Sequence, residues 1–301
     1  MATLPQSGIL IEHCKFAIVI EAMVCAEQHG ALKMACGTFA KTLEDMQRTY
    51  PNDKLGSVVA FGHNLWKSIG CKGGPDLKNF EPMGVAPATQ RDLLIHIQSL
   101  RHDINFTLAQ HAIRAFGNAI KVQEETHAFR WVEERDLSGF IDGTENPKGA
   151  KVAKVALVSK EDDPDSECGS YVLVQKWEHN LVEWAMYPEQ QQERMIGRTK
   201  KDSVELDDDK RNETSHVARV DLKENGQGLK ILRHSLPYGT VSGKHGLFFI
   251  AYSGRLYNIE RQLQSMFGQL EDGKTDDILK LSTPVSGGYY FAPSISKLAS
   301  I

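Results

Sequence analysis

Lys15-Phe16-Ala17-Ile18-Val19-Ile20-Glu21-Ala22 is the first stretch of the chain that commits to a sheet. Phe16 to Ile20 form a short, continuous apolar run of the kind a sheet core needs. Outward from it, Leu32, Ala35, Phe39, Leu43 and Met46 recur at three- and four-residue spacing, which predicts an amphipathic helix closed by Pro51. Strands are expected at Leu55 to Phe61 and at Asp92 to Leu100, on either side of a loop around Gly73-Gly74-Pro75. Asp103 or Asn105 can cap a second helix with a buried stripe of Leu108, Ala112, Ile113 and Phe116. A strand over about Ile120 to Val132 completes the order βαββαβ.

The second half repeats that order. Tyr171 to Trp177 alternates as a strand, and Leu181 to Ile196 reads as helical with a break at Pro188. Val217 to Leu222 and Leu229 to Leu232 read as strands around an Asn225-Gly226 turn. Gly246 to Tyr252 is an apolar strand, Asn258 to Phe267 a helix ended by Gly268, and Gly288 to Phe291 a closing strand. Two successive βαββαβ units predict an α+β fold of two tandem ferredoxin-like domains with antiparallel sheets. The domains are expected at 1-146 and 168-301, with the polar stretch 147-167 as linker.

The 301 residues carry a formal net charge of -4, so no basic field announces a nucleic-acid partner. No apolar run is long enough for a membrane span, and the N-terminus shows no secretory signal, so the chain reads as cytoplasmic. Five cysteines, Cys14, Cys25, Cys36, Cys71 and Cys168, are odd in number and form no Cys-x-x-Cys pair. That pattern argues against a disulfide framework and against a zinc site.

Between the halves lies Gly139-Phe140-Ile141-Asp142-Gly143-Thr144-Glu145-Asn146-Pro147. One carboxylate stands between two glycines, and Asn-Pro ends any regular element. The glycines free the backbone and let another body approach closely, so Asp142 is presented and not packed. Phe140 and Ile141 wall the loop with apolar surface, and a carboxylate desolvated in this way has a raised pKa and trades protons near neutral pH. His216 follows a long polar run, Lys200 to Glu213, and enters an apolar segment where one ring nitrogen can face a cofactor. Arg233 ends an apolar strand. An arginine is always charged, so one facing a pocket calls for an anion or a developing negative charge.

In combination these residues resemble a known family. Gly139-x-x-Asp142-Gly143 with Thr144-Glu145-Asn146-Pro147 is similar to the signature of the dye-decolourising peroxidases, haem enzymes built from two ferredoxin-like domains. Glu213-Thr214-Ser215-His216 resembles that family's proximal-ligand segment, and Arg233-His234-Ser235-Leu236-Pro237-Tyr238-Gly239 resembles its distal-arginine segment. Gly287-Gly288-Tyr289-Tyr290-Phe291-Ala292-Pro293 extends the match towards the C-terminus. The likeness is greatest to the enterobacterial cytoplasmic branch, and the tail that directs some relatives into encapsulin shells is expected to be missing.

The resemblance implies one haem b per chain, held mainly by the C-terminal half and noncovalently, since there is no Cys-x-x-Cys-His motif. It implies His216 as the iron ligand, with the sixth position open to hydrogen peroxide. An anionic partner is expected on the other ring nitrogen; Asp276 resembles it by position, and Asp277 is an equal choice physically. Asp142 is the implied proton carrier, Arg233 the stabiliser of charge as the O-O bond breaks, and Ser235 the holder of a distal water or of peroxide. Leu247, Phe248 and Phe249 are expected as apolar walls, and Thr144 and Glu145 as further cofactor contacts. Arg198 is expected as a haem-propionate partner or as a solvated loop arginine. Tyr238 and Trp131 are candidates for passing electrons to the surface. The implied reaction consumes hydrogen peroxide and oxidises a small-molecule reductant, a dye, a phenolic or a porphyrinogen-like compound, through a ferryl intermediate in a homo-oligomer. A protein that only releases iron from haem or carries haem would need the pocket and His216 alone. A related ferredoxin-like haem enzyme, such as one that dismutates chlorite, would not require the Asp142 loop.

Overall fold

The computed structural model describes residues 3–25 and 29–301. A short helix α1 (Ser7–Leu10) precedes β1 (Phe16–Val24), α2 (His29–Thr49), β2 (Gly56–Phe61), α3 (His63–Ser68), β3 (Leu93–Ser99), α4 (His102–Phe116) and β4 (Ile120–Phe129). The chain continues through α5 (Lys151–Ala156), β5 (Ser170–His179), α6 (Leu181–Trp184), α7 (Glu189–Ile196) and α8 (His216–Val220). A hairpin of β6 (Lys223–Glu224) and β7 (Gln227–Gly228) leads to β8 (Leu232–Arg233), β9 (Leu236–Gly239) and β10 (His245–Ser253). Helix α9 (Leu256–Met266), β11 (Ser282–Pro284), β12 (Gly288–Ala292) and α10 (Ile295–Leu298) end it.

The fold is α+β with antiparallel pairing throughout the main sheet. Strands of the first half lie in the order β2-β3-β1-β4, and those of the second in the order β12-β5-β10-β9. The two sets join at both ends, through Phe61 paired with Phe291 and Ala128 paired with Tyr238. The result is one closed sheet. Alternation along each strand then sorts the side chains. Ala17, Val19, Val58, Val174, Ile250 and Tyr252 fill the enclosed face, whereas Ile18, Ile20, Val59, Ile95 and Leu173 pack outward with the apolar stripes of α2, α4 and α9. The enclosed face also carries Glu21, which accepts a hydrogen bond from the Tyr290 hydroxyl at 2.7 Å.

Several expectations need correction. Val217 to Leu222 does not extend as a strand, because the Ser215 hydroxyl accepts from Ala218 N at 3.4 Å and starts α8. Helix α5 lies within 147-167 and does not contradict its reading as a linker, although Val152 and Ala156 are buried against the enclosed cluster. Neither Asp103 nor Asn105 caps α4: Asp103 binds Arg101, Asn105 Nδ2 donates to Phe16 O at 2.9 Å, and Ile113, expected in the buried stripe, is 38% exposed. Strand β9 goes unread in the sequence because Pro237 breaks its pattern; it pairs along β10, with Pro237 opposite Leu247.

Candidate active site

Backbone geometry presents Asp142 in the loop that follows β4. Gly139 and Gly143 hold φ of +90° and +73°, the left-handed region that side chains resist. Asp142 N donates to Glu134 O at 3.0 Å, and Gly143 N donates to Asp142 Oδ1 at 2.6 Å. Asn146 then reaches across to β8: its Nδ2 donates to Arg233 O at 2.8 Å, and its Oδ1 accepts from Arg233 N at 3.0 Å. One amide thus satisfies both backbone groups of Arg233 and ties the Asp142 loop to the strand that carries the arginine. In the sequence Asn146 stands in the Asp142 motif, but nothing there shows its tie to Arg233.

Burial pushes the Asp142 carboxyl above the ordinary Asp value, against the pull of the Arg233 charge. A second carboxylate, Asp136, lines the same cavity. Burial opposes its charge as well, but His179 Nε2 at 3.1 Å and Ser138 N at 2.9 Å hold its carboxyl below the ordinary value. Two carboxylates driven in opposite directions divide the work: Asp142 is suited to exchange a proton, and Asp136 to stay charged. His179 Nδ1 in turn meets Ser282 Oγ at 2.7 Å. Asp136, His179 and Ser282 come from three separate segments, so no local pattern marks them in the sequence.

Across the cavity, His216 opens α8 with Nδ1 2.7 Å from Asp276 Oδ2. A carboxylate only accepts, so Nδ1 carries a proton, and in the neutral ring Nε2 is then the nitrogen with the lone pair. The Asp276 side chain is fully buried, and its Oδ1 also accepts from Ile278 N at 2.8 Å, which fixes its orientation. Asp277, the other expected partner, instead receives Asn212 Nδ2, Thr214 Oγ1 and Lys280 Nζ.

The cavity leaves about 140 Å³ for the centres of water-sized molecules. Gln175, Trp177, Arg233, Leu247 and Phe249 form its sheet wall, opposite His216 and the apolar Val220, Leu263 and Met266 of α8 and α9. Phe248 does not join them. Alternation along β10 sends it to the enclosed face, where it is buried. Thr144, Glu145 and Arg198 border an adjoining space that also touches Asp142 and His216. There Arg198 is paired with Glu145 and, at 3.2 Å, with Glu205, while Lys230 reaches Glu145 at 3.1 Å. Ser235 lies apart from the apolar cavity, in a polar chamber on the far side of Asp142 and Arg233. Tyr238 is buried beneath Lys176 Nζ, and Trp131 is partly exposed.

This arrangement fits haem. An apolar slot between sheet and helices suits a flat macrocycle, one imidazole lone pair is free to bind iron, and cations at one edge suit carboxylates. Arg233 Nε is buried with no hydrogen-bond partner, which calls for a group from outside the chain.

Comparison with known proteins agrees with the geometry. The family models for the N-terminal and C-terminal parts of Dyp-type peroxidases match residues 6–130 and 133–297, which places the Asp142 loop in the C-terminal match. The dye-decolorizing peroxidase of Mycobacterium tuberculosis is 37% identical over 290 residues, 94% of this chain and 86% of its own length. Among solved structures, the dye-decolorizing protein from Vibrio cholerae is similar at a TM-score of 0.92 and 43% identity, over 98% of this chain and 99% of that one. A DypB variant from Rhodococcus jostii RHA1, described in complex with heme, reaches a TM-score of 0.92 at 32% identity over 99% of each chain. With family models matched along nearly its whole length, the chain belongs to the Dyp-type peroxidase family.

Proposed function

We propose that this chain reduces hydrogen peroxide at one noncovalently bound haem b and spends the oxidising equivalents on a small-molecule reductant such as a dye, a phenolic or a porphyrinogen-like compound. The observation that carries this reading is an opposition across one apolar cavity: a carboxylate-held imidazole on α8 faces a desolvated Asp142 whose loop Asn146 ties to the backbone of Arg233. Bound haem would supply a redox-active iron for peroxide cleavage. His216 Nε2 would hold that iron, and Asp276 would keep the ring oriented and basic. Arg198, with Lys230 close by, would meet the haem carboxylates beside Thr144 and Glu145, and Leu247 and Phe249 would keep water from the sheet wall.

On the opposite face, Asp142 would take a proton from one peroxide oxygen and return it to the other. Its raised pKa suits both halves of that task. Arg233 places a fixed positive charge where negative charge develops as the O-O bond breaks. Ser235 holds a water in the polar chamber behind the pair. A protein that only carried haem or released its iron would need the cavity and His216, but not a desolvated carboxylate whose loop is tied to the strand of an arginine.

Finer readings rest on the same ground. Both halves have the strand order of a ferredoxin-like unit, fourth-first-third-second, which supports domains at 1-146 and 168-301 joined by 147-167. A cytoplasmic setting is supported by five free cysteines, and no helix among the described residues is long and apolar enough to cross a membrane. The enterobacterial branch and the homo-oligomer rest on sequence resemblance alone; the cited curated relative is mycobacterial, and an encapsulated DyP-type peroxidase from Mycobacterium smegmatis is also similar, at 36% identity. Hemin titration tests the reading. Wild-type protein is expected to take up one hemin per chain, and His216→Ala to lose most of the affinity and the histidine-ligated spectrum. If His216→Ala binds hemin as wild type does, the assignment is wrong.

A further inference from the structure

We infer that the Gln175 side-chain amide is a docking site for hydrogen peroxide on the sheet wall of the cavity, apart from the Asp142 and Arg233 pair. This rests on the peroxidase reading above. Gln175 is 1% exposed and lines the cavity, yet both its Nε2 and its Oε1 are buried with no hydrogen-bond partner. A carboxamide offers two donors and an acceptor, and among the buried unpaired side chains of the described residues Gln175 is the one whose amide lacks partners at both ends, which calls for a molecule from outside the chain.

Strand register fixes where the amide points. Gln175 pairs with Phe249 across β5 and β10, and Arg233 pairs with Ala251 across β8 and β10. Phe249 and Ala251 are two residues apart on β10, so Gln175, Phe249 and Arg233 share one face of the sheet, the face opposite His216. Arg198 and Lys230, the cations that could meet a carboxylate, border the adjoining space, whose lining does not include Gln175, and a neutral amide has no charge to offer one. A small neutral molecule is a better match. A primary amide presents its acceptor and a donor side by side, and hydrogen peroxide presents a donor and an acceptor on adjacent oxygens, so the two close a ring of two hydrogen bonds. Water meets the same edge with a single oxygen and poorer angles. Gln175 is therefore a positioning residue: it holds peroxide inside an otherwise apolar cavity before Asp142 takes a proton from it, and it forms no covalent bond.

Gln175→Leu keeps the bulk of the side chain and removes both polar ends. In apoprotein labelled with nitrogen-15 glutamine, the Gln175 amide signal, assigned by its loss in the variant, is expected to shift saturably as peroxide is added. The variant apoprotein is expected to melt roughly 2 °C higher, because an unpaired buried amide has gone. In hemin-loaded protein the KM for peroxide is expected to rise about tenfold at unchanged kcat, with hemin affinity unchanged. An amide signal that does not move, or a KM that does not rise, overturns the inference. A hemin affinity that falls in the variant also overturns it, by assigning Gln175 to the cofactor. Wild-type protein that takes up no hemin overturns the peroxidase reading instead, and the apoprotein titration still decides whether peroxide docks at Gln175.

Discussion

Asn146→Ala tests whether the tie between the Asp142 loop and β8 sets the geometry of the site. The substitution removes two hydrogen bonds, 2.8 and 3.0 Å long, and strips the Arg233 N-H and C=O of their partner. Two net hydrogen bonds contribute about 1–3 kcal/mol. Asn146 is partly exposed, so water replaces some of the loss, and the expected destabilisation is about 1–2 kcal/mol. The kinetic cost is larger, because Asp142 and Arg233 no longer share a fixed frame and a displacement of about 1 Å costs on the order of 10²-fold. Peroxide is therefore expected to react about 10²-fold more slowly with the hemin-loaded variant, at near wild-type hemin affinity. Urea unfolding measures the first effect and stopped-flow absorbance after mixing with peroxide measures the second. A variant that loses the stability but reacts at the wild-type rate would refute the role given to the clamp.

The buried carboxylates lead to two more expected outcomes. Burial pushes Glu21, on the enclosed face, up to about 7 despite its bond from Tyr290. Its folded pKa lies above the unfolded value, so the stability it contributes is complete below the unfolded pKa and is lost as pH rises to about 7. That loss is about 3 kcal/mol, and Glu21→Gln is expected to flatten the urea-unfolding stability profile above pH 5; a variant profile parallel to wild type would contradict the assignment. Asp276→Asn keeps the shape around His216 but removes the charge that fixes its tautomer, and hemin affinity is expected to fall about 10- to 100-fold. Unchanged affinity in a hemin titration would show that the 2.7 Å contact is incidental.

Range along the chain decides which features the sequence reveals and which it hides. The strands of the first half and helix α2 are local apolar patterns, and they lie where periodicity places them. Asp142, His216 and Arg233 stand in short motifs, and the fold brings all three to one cavity. Asn146, by contrast, acts on a residue 87 positions away, and the Asp136, His179 and Ser282 chain is assembled from three segments. Asn146 stands in the Asp142 motif, but neither its partner nor the three-segment chain leaves a local trace. Phe248 fails as a wall residue because reading an apolar run as one block ignores the alternation of a strand. The α8 segment fails as a strand because the Ser215 cap, and not the apolar content after it, sets the backbone from His216 to Val220.

The central claim is that Asp142 moves the peroxide proton beside Arg233, on the face opposite His216. Stopped-flow rates of the absorbance change on mixing hemin-loaded protein with peroxide, taken across pH, test it most directly. Wild type is expected to slow on the acid side, with a midpoint above the ordinary Asp value, because burial raises the Asp142 pKa. Arg233→Leu is expected to be slower by about 10²- to 10³-fold and to keep the acid limb, displaced to higher pH by loss of the charge that holds the Asp142 pKa down. Asp142→Asn is expected to be slower by about 10²- to 10⁴-fold and to have no acid limb. An acid limb that persists in Asp142→Asn at the wild-type midpoint would contradict the account and assign the proton transfer to another group.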